Sequence, residues 1–161
     1  MTEPIVELLH REALCLDEQR WDDWLDLCTE DVAFWAPAWK SEHEPTEDPR
    51  REISLLYLSP RARLAERIAR LRSGRSAASI VLPRTAHAIS NVLVEGAGDA
   101  AAEVRCLCIT HLYDPKRRSE SRTIARYRHR LVRSGDGWRI RAKTVIVLND
   151  NLPAKLEFYM M

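Results

Sequence analysis

Long stretches of alternating polar and apolar residues dominate the second half of this 161-residue chain. Four of them cover residues 85–95, 102–113, 121–133 and 138–148, and only short turn-forming segments separate them. Alternation with a period of two is typical of strands that bury one face. Because short connections between long strands favour hairpins, the pattern predicts an antiparallel sheet.

Helical spacing replaces this alternation in the first half of the chain. The first predicted helix is indicated by apolar residues at steps of three and four: Ile5, Leu8, Leu9, Ala13 and Leu16. A second is indicated after Arg20 by a similar stripe: Trp21, Trp24, Leu25 and Cys28. A third begins at Pro60 and ends near Gly74. Helices followed by a meander predict an α+β fold, with N-terminal helices packed in a curved antiparallel sheet. The length suits a single domain over residues 1–161.

The segment between the second and third helices has mixed character. Residues 32–39 are aromatic and contain Pro37, so we expect a short edge strand there. Residues 40–51 are charged and lack periodicity, which predicts a loop with a role in assembly or gating. Residues 53–58 are largely apolar and fit either a buried strand or the start of a helix.

Charge is unevenly distributed, although the formal net charge is only +1. Residues 1–60 carry 5 Lys and Arg against 15 Asp and Glu, so the basic excess lies in the remainder. In the last two predicted strands, alternation places seven basic residues on one outer sheet face: Arg122, Arg126, Arg128, Arg130, Arg139, Arg141 and Lys143. Like charges side by side repel, so we expect anions from the acidic half of the chain or from another subunit. Nucleic acid is not expected, since the sequence shows neither interleaved exposed aromatic residues nor a strongly positive domain.

Residues that could carry acid–base or metal chemistry are few. The five histidines are widely spaced, and none belongs to a zinc motif. Cys108 and His111 would point to opposite faces of one strand, so they could not chelate one metal ion. A pocket inside the sheet could be lined by His87, His129, Asp31 or Tyr127. We favour a core role for His129, because sequence spacing places no second titratable group beside it.

The cysteines and the hydropathy of the sequence indicate the cellular compartment of the protein. The four cysteines are too few and too scattered for a disulfide framework, and we expect buried, reduced thiols. No apolar run approaches the roughly 20 residues that cross a bilayer. The N-terminus lacks the basic and apolar regions of a secretory signal. We therefore expect a cytoplasmic protein without a membrane segment.

Several short motifs occur in a recognisable order along nearly the whole chain. They are Arg20-Trp21-Asp22-Asp23-Trp24-Leu25, Glu30-Asp31-Val32, Trp35-x-Pro37, Asp48-Pro49, Glu52-Ile53-Ser54-Leu55-Leu56-Tyr57, Pro83-Arg84-Thr85-x-His87-x-Ile89-Ser90-Asn91-Val92 and Gly137-Trp138-Arg139-Ile140. The segment that begins at Pro83 is the most specific. Together the motifs resemble the small (beta) subunits of Rieske non-haem iron aromatic ring-hydroxylating dioxygenases. The N-terminal part of the sequence is similar to that of relatives that act on aromatic carboxylates.

This resemblance implies an NTF2-like cone of helices packed in a curved antiparallel sheet. It also implies a large (alpha) oxygenase subunit as partner, self-association as a trimer within an alpha3beta3 hexamer, and electrons supplied indirectly by a reductase and a ferredoxin. In that family the Rieske [2Fe-2S] cluster and the mononuclear Fe(II) belong to the alpha chain. The sequence agrees, since a Rieske centre needs two Cys–His pairs and only Cys108 and His111 could form one.

The resemblance therefore predicts a non-catalytic structural subunit of an aromatic ring-hydroxylating dioxygenase. Its task would be to support assembly of the iron-bearing large subunits that cis-dihydroxylate aromatic substrates. We expect no catalytic, cofactor-binding or metal-binding residue in this chain, and we expect the apolar tail, residues 158–161, to be buried between subunits. The alternative is a stand-alone NTF2-like isomerase, dehydratase or hydrolase that uses acid–base groups around His87 or His129, and a binding module of the same fold is a third interpretation.

Overall fold

Two helices open the structure, and a third lies between its second and third strands; this is a computed structural model that describes residues 2–74, 81–152 and 155–161. The elements are α1 (Glu3–Asp17), α2 (Trp21–Asp26), β1 (Cys28–Pro37), β2 (Ser54–Leu58), α3 (Arg61–Ser73), β3 (Arg84–Glu95), β4 (Ala101–Asp114), β5 (Ser119–Ser134), β6 (Gly137–Val147) and a short 3-10 helix (Phe158–Met160). This order confirms the predicted α+β class. Within the described residues, no helix is long and apolar enough to cross a membrane.

The six strands found among the described residues belong to one sheet, in the order β2-β1-β6-β5-β4-β3. Strands β3 to β6 form the predicted antiparallel meander. Strand β1 pairs with β2 in antiparallel fashion and with β6 in parallel fashion, so β2 is the edge strand. The prediction that residues 32–39 form an edge was therefore wrong. Pro37 is tolerated because it ends β1, at a register shift after Ala36.

The helices fill the concave side of the sheet. Helix α1 buries the apolar stripe that its spacing predicted and packs against β3 and β6. Helix α3 buries Leu64 and Ile68 and contacts β1. It ends at Gly74, whose φ of 63° is the left-handed conformation that favours glycine. The core between helices and sheet includes Trp24, Phe34 and Leu131, each at most 2% exposed.

The C-terminal tail lies inside this core. Phe158 stacks on Trp24 with ring centroids 4.9 Å apart and an interplanar angle of 13°. Trp21 contacts the rings of both Phe158 and Tyr159, and Met161 is fully buried. The expectation that the tail is buried between subunits was wrong, because α2 supplies its aromatic partners within the same chain.

The four cysteines are buried free thiols, as predicted. Burial raises the pKa of Cys28 and of Cys106 to about 12. Cys106 and Cys108 both face the core from β4, which agrees with the alternation of that strand. These side chains therefore act as small apolar core residues.

Candidate functional site

Strand β6 brings Lys143 into the interior of the sheet, contrary to the sequence prediction. Trp138 and Ile140 face the core as expected. The pairing with β5 then shifts, since Leu131 pairs with Ile140 and Arg130 with Ala142. This β-bulge reverses the alternation, so Lys143 is buried. The prediction that Lys143 joins the outer basic face was therefore wrong.

Lys143, Glu12 and His129 form a hydrogen-bonded cluster in the core. Lys143 Nζ donates to Glu12 Oε1 at 2.9 Å, and His129 Nε2 lies 3.1 Å from Glu12 Oε2. Each of the three side chains is at most 3% exposed. The ammonium of Lys143 also lies 4.2 Å from the centroid of the Tyr127 ring, a cation–π contact. Buried charges need partners of this kind, and here helix α1 and strands β5 and β6 supply them.

These contacts fix the protonation states in the cluster. Burial raises the pKa of Glu12, but the charge of Lys143 and the hydrogen bond from His129 outweigh it and hold the pKa well below its usual range. Burial lowers the pKa of His129, and the neighbouring Glu12 only partly offsets this. Near neutral pH, Glu12 is ionised and His129 is neutral, with its proton on Nε2 facing the carboxylate. Among the described residues, His129 Nδ1 has no hydrogen-bond partner.

At the end of α1, the carboxylate of Asp17 contacts the other candidate histidine, His87. Asp17 accepts hydrogen bonds from the Thr85 hydroxyl at 2.9 Å, from the His87 backbone N–H at 3.0 Å and from the His87 ring at Nδ1. Burial raises the pKa of Asp17, but these hydrogen bonds outweigh it and lower the pKa below its ordinary value. The ionised carboxylate therefore holds the ring proton on Nδ1. The His87 side chain is 1% exposed, and its Nε2 has no partner within the described part of the chain.

The other two candidate residues lie on opposite sides of the sheet. Tyr127 faces the core, and burial raises its pKa well above the usual value, so its hydroxyl stays neutral. That hydroxyl has no hydrogen-bond partner in the described ranges. Asp31 lies outside, where it pairs with Arg141 at 3.1 Å. The prediction that Asp31 could line an interior pocket was wrong, because its neighbour Val32 takes the inward position.

Sequence reasoning found the two histidines but missed their carboxylate partners. Asp17 lies 70 residues from His87, and Glu12 lies 117 residues from His129, so no local spacing links them. One signal was present for Glu12, which lies four residues from both Leu8 and Leu16 on the apolar stripe of α1. A charged residue on a buried helix face indicates a buried partner. Lys143 carried no such signal.

The described part of the chain does not offer the ligand sets of a Rieske cluster or a mononuclear iron. Cys108 faces the core and His111 faces solvent, so these two side chains cannot share a metal ion. Across residues 2–74, 81–152 and 155–161, no three His, Cys, Asp or Glu side chains are grouped to hold one. An iron site with two histidines and a carboxylate needs such a convergence. The described residues therefore do not fit either iron group.

Helices packed in the concave face of a curved six-stranded sheet define an NTF2-like cone. Residues 11–154 match the family model described as the ring hydroxylating beta subunit. Because this match spans most of the chain, the protein belongs to the family of ring hydroxylating beta subunits. The resemblance that the motifs indicated is thereby confirmed.

Individual relatives agree with this family. Benzoate 1,2-dioxygenase subunit beta of Acinetobacter baylyi is 35% identical over 98% of this chain and 92% of its own length. The 2-halobenzoate 1,2-dioxygenase small subunit of Burkholderia cepacia is 34% identical over 96% of this chain and 93% of its own. The crystal structure of the beta subunit of benzoate 1,2-dioxygenase from Burkholderia mallei has a TM-score of 0.80 and 33% identity, and the match covers 98% of this chain and 95% of that one. These relatives favour the subunit over the stand-alone enzyme.

Proposed function

We propose that this chain is the structural beta subunit of a dioxygenase that hydroxylates aromatic carboxylic acids, and that it carries no catalytic residue of its own. Three copies form a trimer that holds three alpha subunits in an alpha3beta3 hexamer in the cytoplasm. Each alpha subunit carries a Rieske [2Fe-2S] cluster and a mononuclear Fe(II), and electrons arrive from a reductase or ferredoxin without crossing this chain. The match of residues 11–154 to the beta-subunit family carries the proposal, and residues 1–161 act as one domain.

The chemistry of the interior supports a structural role. Both oxygens of Glu12 are occupied by Lys143 and His129, which makes the cluster a closed ion-pair network. A general base needs a vacant acceptor that a substrate can reach. The vacant ring nitrogens here belong to His129 and His87, whose side chains are 0% and 1% exposed. Both histidines therefore contribute to the fold of the cone.

The proposed substrate class follows from the relatives. Their names specify benzoate and 2-halobenzoate, which are both aromatic rings that bear a carboxylate. In the proposal the alpha subunit binds the ring, so this chain does not select among such acids. Exchange of this beta subunit with that of a benzoate dioxygenase should leave substrate preference unchanged.

Co-expression with the alpha subunit of the same organism tests the assembly. We expect the two chains to co-purify as a hexamer that contains iron and takes up oxygen when benzoate is added together with an electron-supplying reductase and its reductant. The purified small chain should contain no iron and show no uptake. Turnover by the small chain alone, or failure to bind an alpha subunit, would overturn the proposal.

A conservative variant tests the absence of a catalytic residue. Tyr127→Phe removes only a buried hydroxyl that has no partner among the described residues, so the packing should persist. We expect the hexamer to keep its turnover within about two-fold, whereas loss of a general acid lowers rates by about 10²–10⁴-fold. His87→Gln should likewise keep its turnover once the fraction of folded protein is matched. A large loss of rate in either folded variant favours the acid–base enzyme.

A further inference from the structure

The outer face of strand β5 carries exposed arginines that have no anionic partner within the described chain. Two neighbouring basic residues are neutralised, since Arg130 pairs with Glu103 at 3.4 Å and Arg141 with Asp31 at 3.1 Å. Arg139 on β6 forms no ion pair among the described residues. Three outward arginines of β5 also form none: Arg122, Arg126 and Arg128. We name these three residues the arginine face. The acidic half of the chain thus satisfies only part of the basic cluster.

Strand register makes this arrangement unfavourable for an isolated chain. Arg128 lies directly opposite Arg105 on β4, and like charges in that position destabilise a sheet. Glu95 binds Arg105, so Arg128 is the member of the pair that has no counter-charge. Arg126 lies between Leu107 on β4 and Ile146 on β6. The surface is therefore cationic, and it fits a partner that presents carboxylates.

An ordered segment of the same chain carries the opposite charge, in the form of unpaired glutamates. The loop between β1 and β2 folds into a turn in which the Lys40 N–H donates to the Glu44 carbonyl at 2.7 Å, and an isolated bridge joins Trp39 to Pro45. The Ser41 hydroxyl accepts hydrogen bonds from two further backbone N–H groups of this turn. Three exposed glutamates of the loop form no ion pair within the described residues: Glu42, Glu44 and Glu47. We name residues 42–47 the acidic turn.

We propose that the acidic turn of one copy docks on the arginine face of a second copy. The inference rests on the proposed function, because a trimer is closed by a heterologous contact that joins two different complementary patches of each copy. The acidic turn and the arginine face are patches of opposite sign, and neither forms an ion pair with the described residues of its own chain. Nucleic acid fits this surface less well, since the acidic turn would repel phosphates and the net charge is only +1.

Charge reversal of the full-length chain tests the contact. We expect Arg126→Glu with Arg128→Glu to raise the dissociation constant for self-association at least about ten-fold, as measured by sedimentation equilibrium. Glu42→Lys with Glu44→Lys should have the same effect. All four changes in one chain exchange the signs of both patches, so they should restore the trimer. Arg70→Glu with Lys116→Glu is the matched control, because both residues are exposed and form no ion pair among the described residues.

The possible results distinguish a failure of the docking contact from a failure of the proposed role as a beta subunit. Unchanged self-association of the arginine variant, or no rescue by the fourfold variant, overturns the docking contact while the alpha subunit can still co-purify. A wild-type chain that stays monomeric both alone and with the alpha subunit also overturns it. An arginine variant that remains a trimer but loses the alpha subunit assigns the face to that partner instead. Retention of the wild type, but not of the variant, on immobilised duplex DNA at physiological salt would assign the face to phosphates.

Discussion

Lys143 Nζ lies 2.9 Å from Glu12 Oε1, so a buried ion pair joins the first helix to the last strand across 131 residues of sequence. Both side chains are at most 3% exposed, and each provides the main counter-charge of the other. Removal of one partner leaves an uncompensated charge in the core, whereas removal of both does not. The stability of the cone therefore depends on this pair as a unit.

Lys143→Met should destabilise the chain strongly. The substitution keeps a long apolar side chain but leaves Glu12 without its cation, so we expect a loss of about 3–5 kcal/mol in the free energy of unfolding. Urea titration followed by tryptophan fluorescence measures it. Lys116→Met, at an exposed turn residue, should change the stability by less than about 0.5 kcal/mol. Adding Glu12→Gln to Lys143→Met should recover most of the loss, and a double variant no more stable than the single one would contradict this account.

The neutral state of His129 predicts a pH dependence of stability. Its pKa in the folded chain lies below the unfolded value of about 6.5, so the unfolded chain takes up the proton first as the pH falls. The free energy of unfolding should therefore decrease below about pH 6.5, by up to about 1.4 kcal/mol per pH unit. The depressed pKa of Glu12 adds a second loss below about pH 4.3, in the same direction.

Two histidine variants test whether protonation of His129, and not of other groups, causes the loss of stability at low pH. His129→Gln removes the titrating ring, so the slope below about pH 6.5 should become flatter. His111→Gln changes an exposed residue on the outer side of β4 and should keep the wild-type slope. Equal slopes in the wild type and in His129→Gln would show that another group controls the acid transition.

Asp17→Asn should loosen the contact between α1 and β3. The carboxylate accepts hydrogen bonds from Thr85 and from two N–H groups of His87, and an amide cannot accept all of them equally well. We expect a cost of about 1–3 kcal/mol and faster hydrogen exchange at the His87 amide. Asp99→Asn is the control, because Asp99 is exposed and makes no hydrogen bond among the described residues. Unaltered exchange at His87 would contradict the role given to Asp17.

Phe158→Ala tests whether the C-terminal tail belongs to the core of its own chain. The ring is fully buried against Trp24, so we expect a loss of about 3–5 kcal/mol even in a monomeric sample. Ile53→Ala, at a residue that is 77% exposed, should have an effect below about 0.5 kcal/mol. If the loss for Phe158→Ala appeared only in the assembled hexamer, the tail would be an intersubunit element after all.

The local structure follows from patterns that are visible in the amino-acid sequence. Alternation in the later segments predicted the meander β3 to β6, and it placed Tyr127 and His129 inward and Arg126 and Arg128 outward, as the structure shows. Helical spacing predicted α1 and its buried stripe. These features follow from which face of each element is apolar, and that property can be read over a few neighbouring residues.

The contacts between distant segments become visible in the folded chain alone. The parallel pairing of β1 with β6, the bulge that turns Lys143 inward and the return of Phe158 to Trp24 all depend on register between segments far apart in the chain. A single extra residue in one strand reverses the side chains that follow it, and periodicity within that strand does not record which pairing will form. The partners of Glu12 and Asp17 were hidden for the same reason, because their contacts exist only once the sheet has closed around α1.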